Sequence, residues 1–346
     1  MSEKKVAVVI LNYNGSQLLE QFLPGTIQHS FPHDIIVVDN ASTDGSAELL
    51  KKKFPQVRLI VHNKNYGYAK GYNLALQQIE ADYFVLLNND VEVTEGWIGN
   101  TIALMDYEPW IAACQPKILD QKRKDLFEYA GAAGGFIDKY GYPFCRGRIF
   151  NTIETNNDQY PDAREVFWAS GACIFIKSMA FWQVGGLDDS YFAHMEEIDL
   201  CWRFKNLNYK VYVQPASVVY HIGGGTLNKI SSRKTFLNFR NNLSTLVKNH
   251  RRRHLFFKIL FRLLLDGLAA FKFLFEGQPR HFFAVLAAHF AFYGRIPSLI
   301  KKRRMLKRLP GFKYNSAGMY DGNIVWEYYL RNKTKFPQLQ RGFFSE

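Results

Sequence analysis

Cysteine is scarce in this chain of 346 residues: Cys114, Cys145, Cys173 and Cys201 are widely separated, and no CxxC pair occurs. That excludes a disulfide framework or a cysteine-rich zinc cluster and fits a reducing compartment. No strand-like run leads into GxGxxG, and GxxxxGK[ST] is absent, so neither a dinucleotide fingerprint nor a phosphate-binding P-loop is offered. The apolar run near the N-terminus turns polar after six residues, too short for the core of a secretory signal. Disorder is excluded by composition, with 47% hydrophobic and 22% charged residues. Acid is missing from one end only. Residues 1–250 hold 25 Lys and Arg against 26 Asp and Glu, whereas 251–346 hold 19 against 5. The net charge of +13 thus sits on the C-terminal segment, which calls for a polyanion such as nucleic acid or an anionic membrane face.

What is present is a regular alternation. Residues 6–11 form a continuous β-branched run, the pattern of a strand covered on both faces. It ends in Asn12, Tyr13, Asn14 and Gly15, and helical spacing follows through Leu18, Leu19, Phe22 and Leu23. Residues 35–38 repeat the pattern and end at Asp39, after which Ser42, Thr43 and Asp44 offer N-cap chemistry to a helix. Residues 57–61 predict a third strand, 63–71 a Gly/Asn-rich loop leading to a helix around 73–79, and 83–87 a fourth strand ending in Asn88-Asn89-Asp90. The result is an α/β fold with a mostly parallel, doubly wound sheet and helices on both faces. In such sheets polar residues at the carboxyl ends of strands line the ligand crevice. Residues 111–165 predict two or three strands with long loops, 168–176 another strand, and 211–213 and 218–220 two short ones.

Each polar cluster has a chemical use and an ordinary structural one. Asp39 suits a base N–H or a ribose hydroxyl, and equally a turn. Asn88-Asn89-Asp90 supplies the single carboxylate that Mg2+ or Mn2+ can share with substrate phosphates, or merely ends a strand. Glu196, Glu197 and Asp199 place three acids at a helix start, where the helix dipole also favours them. Asp199 and Arg203, at i and i+4, read as a structural pair, while Glu196 and Glu197 point about 100° apart. His221 ends a strand and is followed by a triglycine, which suits a loop closing over substrate. Lys229, Arg233 and Lys234 then meet either a diphosphate or solvent.

The stretches VVILNYNG, IIVVDNASTDGS, NKNYGYAKGYN, YFVLLNNDVEV, WASGACIFI, GGLDDSYFAHMEEIDLCWR and VYHIGGGT, in this order, resemble the inverting family 2 glycosyltransferases with the GT-A fold over about residues 4–250. The nearest flavour is the rhamnosyltransferase-like group that builds bacterial surface polysaccharide. The resemblance implies a nucleotide-diphosphate sugar donor (a dTDP- or UDP-sugar), a divalent metal, Mg2+ or Mn2+, and a hydroxyl acceptor on a lipid-linked glycan or polysaccharide. By position it implies a nucleoside pocket at Asp39 with Asn12, Tyr13 and Asn14. It places Asn65, Gly71 and Asn73 beside the nucleotide, and Asn88, Asn89 and Asp90 at the DXD motif, where Asn88 stands in place of the usual first Asp. Asp90 and His221 are then the metal ligands. Glu197 is the general base, at a position usually Asp, with Glu196 beside it on the acceptor side. Trp168, Ser170 and Gly171 fall among acceptor contacts, and Lys229, Arg233 and Lys234 near the diphosphate.

Residues 255–275 carry Lys258, Arg262 and Asp266 at intervals of four, so these charges share one helical face and Phe and Leu fill the rest. Residues 282–293 are uncharged but only twelve long. Neither is a clean span of ~20 apolar residues. Both predict amphipathic helices in a membrane interface, flanked by residues 251–253 and 301–304. The organisation expected is a GT-A domain over 1–250 and a basic, aromatic-rich helical segment over 251–346, in a cytoplasmic protein held peripherally on the inner face of the cell membrane. A hairpin packed on the catalytic domain or a homodimer are alternative uses. Nucleic acid is disfavoured, because Phe and Leu recur at helical spacing rather than alternating with Lys and Arg on strands. Two other functions compete. Asn88 argues for a nucleotide-sugar-binding scaffold with a weakened metal site. A nucleotidyltransferase needs a basic Gly-rich loop after the first strand, and NYNGSQLLE has no Lys or Arg.

Overall fold

The computed structural model describes residues 4–223 and 231–345. In chain order the elements are β1 (Val6–Asn12), α1 (Ser16–Ser30), β2 (Asp34–Asp39), α2 (Ser46–Lys53), β3 (Arg58–Val61), α3 (Gly67–Leu76), β4 (Tyr83–Asn88), β5 (Val91–Val93), α4 (Trp97–Tyr107) and β6 (Ile111–Asp120). There follow β7 (Gly135–Asp138), β8 (Pro143–Cys145), β9 (Arg148–Ile149), β10 (Thr152–Ile153), β11 (Arg164–Glu165), β12 (Cys173–Lys177), α5 (Ser178–Gln183), α6 (Glu196–Lys205) and β13 (Lys210–His221). The rest are α7 (Ser232–Asn249), α8 (Leu255–Phe275), α9 (Pro279–Leu306), β14 (Met319–Tyr320) and α10 (Ile324–Tyr329).

The main sheet runs β11-β13-β6-β12-β4-β1-β2-β3, with β5 paired to β13. β4, β1, β2 and β3 are parallel, as the alternation with helices predicts, and β12 enters antiparallel between β4 and β6. Both faces are covered. Ala7, Val9, Ile36, Val38, Phe84 and Leu86 join one core, while Val6, Val8, Ile10, Val37, Val85 and Leu87 join the other. That two-sided burial explains the unbroken apolar runs. A second sheet, β10-β9-β8-β7-β14, carries an aromatic core of Phe136, Phe144 and Tyr320.

Several elements depart from their sequence-based limits. The stretch 63–71 is not all loop: α3 begins at Gly67, where Asn65 Oδ1 accepts from the Gly67 N–H at 2.8 Å and Phe192 O accepts from the Tyr68 N–H at 2.6 Å. These tertiary contacts offset the glycine penalty within the helix. The strand expected over 168–176 begins only at Cys173, because Ser170 turns the chain, its hydroxyl accepting from the Ala172 N–H. The two short strands expected at 211–213 and 218–220 are one strand, β13, whose register to β6 shifts between Gln214 and Val218, around Pro215. The long helices of the basic segment end at Leu306, and the short α10 follows. Beyond Leu306 β14 pairs with β7, and Phe336 and Phe344 pack on Phe136 and Phe144.

One ion network ties the C-terminal helices to the sheet. Asp199 on α6 is fully buried and accepts from Arg203 Nε at 2.9 Å, Lys248 Nζ at 2.7 Å and Asn249 Nδ2 at 2.7 Å. Lys248 on α7 also reaches Asp188 at 2.6 Å, and Asp188 takes Lys302 of α9 at 2.5 Å. Burial pushes the Asp188 carboxyl up, but the Lys248 and Lys302 charges outweigh it and hold the carboxyl well below the usual range. A depressed carboxylate stabilises the fold fully above its unfolded value near ~3.9 and loses that contribution as pH falls below it. Removing one member of a buried ion cluster strands its partners, so Asp199→Ala should lower unfolding free energy by about 3–5 kcal/mol. Chemical denaturation measures this; an unshifted midpoint would deny Asp199 that role.

Candidate active site at the carboxyl edge of the sheet

The crevice begins where β1 and β2 end. Asn12 is wholly buried, donates to Asp39 Oδ1 at 3.4 Å and Ser42 Oγ at 3.2 Å, and accepts from Asn89 Nδ2 at 2.7 Å. Asp39 Oδ2 accepts from the Ser42 N–H at 3.0 Å, so a buried carboxylate stands at the mouth of the sheet. Asn14, at φ 50°, turns the chain and its Oδ1 accepts from the Thr43 N–H. Tyr13 is partly exposed beside it. Gly15 is required by space: a Cβ there would lie 2.3 Å from Asn89 Nδ2 and 2.5 Å from Asn12 Oδ1. The NYNG turn and the Asn88-Asn89-Asp90 turn therefore interlock.

Strand register makes the next group. His221, the last residue of β13, pairs with Val91 of β5, which sets its imidazole against the preceding residue, Asp90. Nε2 of His221 is 3.1 Å from Asp90 Oδ1, and Nδ1 is 3.3 Å from Oε1 of Glu128. All three side chains are buried. Burial pushes the imidazole down, but Glu128 and Asp90 outweigh it and lift His221 to about 10. Glu128 escaped sequence reasoning because it lies in the irregular 111–165 region with no strand end or motif to mark it. Gly223 must be glycine here, since it has φ 68° and a Cβ would meet Glu128 Oε1 at 2.9 Å.

Asp90 and His221 give one carboxylate and one imidazole converging at a strand end. Among the described residues no group of three His, Cys, Asp or Glu forms a cation cage. The donor set fits a divalent cation completed by substrate phosphates only when the cation displaces the Nε2 proton that Asp90 and Glu128 otherwise hold on His221, with Glu128 left as the carboxylate partner of Nδ1.

Glu196 and Glu197 open α6. Residues 170–172 lie between them and the Asp90 turn. Asn88 N donates to Ala172 O at 2.9 Å, Tyr68 Oη donates to Gly171 O at 2.7 Å, and a Cβ on Gly171 would lie 3.8 Å from Glu197 Cβ. Among the described residues, Oε2 of neither Glu196 nor Glu197 has a hydrogen-bond partner. Burial lifts Glu197 to about 7, against backbone N–H groups at the helix start that pull it down. Burial and the Glu197 charge raise Glu196 further. Tyr68, buried against both acids with its hydroxyl pushed well up, is a second residue the sequence did not reveal. The approach to α6 is strained: Phe192, His194 and Met195 all have positive φ. Asn241 of α7 holds it by donating to the carbonyls of Tyr191, Ala193 and His194.

The other expected residues have structural partners, Asn65 and Gly71 beside Asn40 next to Asp39. Trp168 is in the core, its ring on Gly135 and its Nε1 donating to Phe136 O, so it does not line the crevice. Ser170 is buried with its hydroxyl donated to Ala130 O. Asn73 uses its side chain on Leu187 and Asp189, and Gly71 packs on Leu11. Asn65 caps α3 and accepts from Asn40. Arg233 lies over the Phe192 ring, and the charge of Lys234 acts on His194. Lys229 falls outside the described residues.

The carboxyl edge of this mixed α/β sheet thus gathers a buried carboxylate, a carboxylate–imidazole pair and a raised glutamate. The model of glycosyl transferase family 2 matches residues 7–184, more than half of the chain, and the chain belongs to that family. It is 30% identical over 234 residues to the N-acetylglucosaminyl-diphospho-decaprenol L-rhamnosyltransferase of Mycobacterium tuberculosis, covering 62% of this chain and 75% of that protein. The fold matches a structure of GalNAc-T7 with UDP, GalNAc and Mn2+ at TM-score 0.54 and 15% identity, over 71% of this chain and 48%, about half, of that one. It also matches the mannosyltransferase PcManGT of Pyrobaculum calidifontis with GDP-Man and Mn2+, at 0.51 and 14%, over 89% and 81%. The fold is of the GT-A type and the chain is a glycosyltransferase.

Gly15 has φ −125°, open to any residue, so only crowding opposes a side chain. Gly15→Ala should cost about 1–3 kcal/mol of stability by forcing Asn12 and Asn89 apart. Gly99→Ala, at an open helical position, should be neutral or stabilising. Equal melting shifts for the two variants would contradict the interlock.

Proposed function

We propose that this enzyme transfers a hexosyl group, rhamnose-like, from a nucleotide-diphosphate sugar to a hydroxyl of a lipid-linked or polysaccharide acceptor, with inversion, at the cytoplasmic face of the membrane. The observation that carries the reading is Glu197: a half-buried glutamate whose buried Oε2 lacks a partner among the described residues, lifted to about 7, across residues 170–172 from Asp90. The lipid-borne acceptor is supported by the mycobacterial relative, a rhamnosyltransferase named for N-acetylglucosaminyl-diphospho-decaprenol, and the donor class by the nucleotides in the two solved structures.

Asp39, with Asn12 and Asn14, receives the nucleoside, its carboxylate accepting from a base N–H or ribose hydroxyl. Asp90 and His221 would hold a Mg2+ or Mn2+ ion, which supplies neutralising charge at the diphosphate. Glu128 keeps the His221 ring turned toward Asp90. Glu197 takes the acceptor's proton as its oxygen bonds to the anomeric carbon, while the bond from that carbon to the diphosphate breaks on the opposite side. One such displacement inverts the centre and needs no covalent sugar–enzyme intermediate. Burial and the Glu197 charge push Glu196 up, which disfavours charging both carboxyls of the pair at once.

Glu197→Gln should leave donor affinity by calorimetry within about twofold and lower kcat at least ~100-fold. Wild-type kcat/KM should rise with pH through about 7, because the base must be deprotonated. Near-normal turnover in the variant would remove Glu197 from this role. Asp90→Ala should abolish the Mn2+ dependence of donor binding, read as the donor-induced melting shift with and without metal; an unchanged metal titration would count against Asp90.

A further inference from the structure

The first helix of the C-terminal hairpin, α8, is built inside out. The residues that α8 buries are Arg262, Asp266 and Ala270, whereas Phe257, Leu260, Leu264, Leu268, Phe271 and Phe275 face solvent at intervals of three and four along one side. Leu264 is 62% and Phe275 87% exposed. Inside, Arg262 bonds Asp266 at 2.8 Å and Asn242 at 2.5 Å and stacks 3.6 Å from the Tyr142 ring centroid, and His289 of α9 lies 3.5 Å from the same carboxylate. α9 runs back beside α8, with Phe282 against Phe271, and continues the exposed side through Phe283, Leu286, Phe290 and Tyr293. Water-facing helices place their charges outward; α8 does the reverse, while α9 buries Val285, Ala288, Phe292 and Leu299 and still leaves a second apolar side exposed.

We propose that this face inserts into one leaflet of an anionic bilayer, with the hairpin lying in the membrane plane. Charge selects that occupant. Residues 251–306 contain twelve Lys and Arg but two acids, Asp266 and Glu276, and both acids are already paired within α8 and its end. A second copy would bring no counter-charge, whereas lipid phosphates do. Arg251, Arg252 and Arg253 precede α8, while Lys301 and Arg304 close α9 at the same end of the hairpin, where the Arg252 charge acts on Arg303. α9 is long and apolar enough to cross a membrane by length and composition. It is clamped on its other side, however: Arg295 donates to Ser190 O at 2.6 Å, Arg303 to Val247 O at 2.6 Å, and Lys302 pairs with Asp188. Crossing would strip these bonds and expose the Arg262–Asp266 cluster to lipid, so insertion is one-sided.

The inference deepens the reading of a lipid-borne acceptor, but its test needs neither donor nor acceptor. The full chain is sedimented with vesicles of phosphatidylcholine alone or mixed with phosphatidylglycerol. We expect binding to the mixed vesicles, at least ~10-fold weaker for Leu264→Glu/Phe271→Glu, whose positions lie on the exposed face. Arg251→Gln/Arg252→Gln/Arg253→Gln should weaken binding to anionic vesicles and blunt its salt dependence. Melting temperature and donor affinity, unchanged in both variants, show that the fold and site are intact. Absence of wild-type binding, or binding indifferent to the two glutamates, overturns the proposal. So does a wild-type dimer, by sedimentation equilibrium, that the glutamates dissociate while vesicle binding stays absent. Any of these leaves the transferase reading standing, because donor affinity is scored separately.

Discussion

The structure depends on a carboxylate that touches no water. Asp199 accepts hydrogen bonds from Arg203, Lys248 and Asn249, and Lys248 passes the connection to Asp188, which also holds Lys302. A buried anion is tolerated only when its charge and lone pairs are satisfied in good geometry, and here four segments must meet to satisfy it. The consequence is positional. α6 cannot shift without stranding these cations, so its first turn, with Glu196 and Glu197, is fixed against residues 170–172. The same contacts lock α7 and α9 onto the catalytic sheet, which makes the C-terminal helices part of the wall behind the active site.

Strain is concentrated where that wall meets the chemistry. Phe192, His194 and Met195 adopt a backbone region that side chains avoid, each at a cost of order 1–3 kcal/mol. Asn241 and Arg240 bond the carbonyls that this path exposes. The turn delivers two acids to a poorly hydrated helix start, where burial raises their proton affinity. On the opposite side, Glu128 and Asp90 hold His221 between them and do the reverse, favouring the charged imidazole. The two environments thus push an acid and an imidazole toward opposite charge states, and the Asp90–His221 pair suits a cation only when the imidazole gives up its proton.

α7 joins the two ends of the molecule. One face grips the loop before Glu196, and α9 and α8 pack against the helix from the other side. The inverted amphipathy of α8 follows from this arrangement. Tyr142, Asn242 and His289 are the partners that Arg262 and Asp266 meet inward, and the Phe and Leu side chains are left to the outside.

Repeating patterns were readable without coordinates. The four parallel strands, the polar residues at their carboxyl ends and the Asp199–Arg203 pair follow from local spacing and from what a two-faced sheet demands, whereas Asp39, Asp90, Glu197 and His221 were singled out by the resemblance of their motifs to a known family. Contacts between distant segments were not. Glu128 became a partner of His221 only through the register of β13 on β5 and β6. Trp168 left the crevice because Gly135 offered its ring a seat in the core. α3 started early because Phe192, far along the chain, supplied an acceptor. The hydropathy of residues 255–275 marked an amphipathic helix, but a helical period carries no sign. Which face turns inward was decided by the polar partners that tertiary packing placed there.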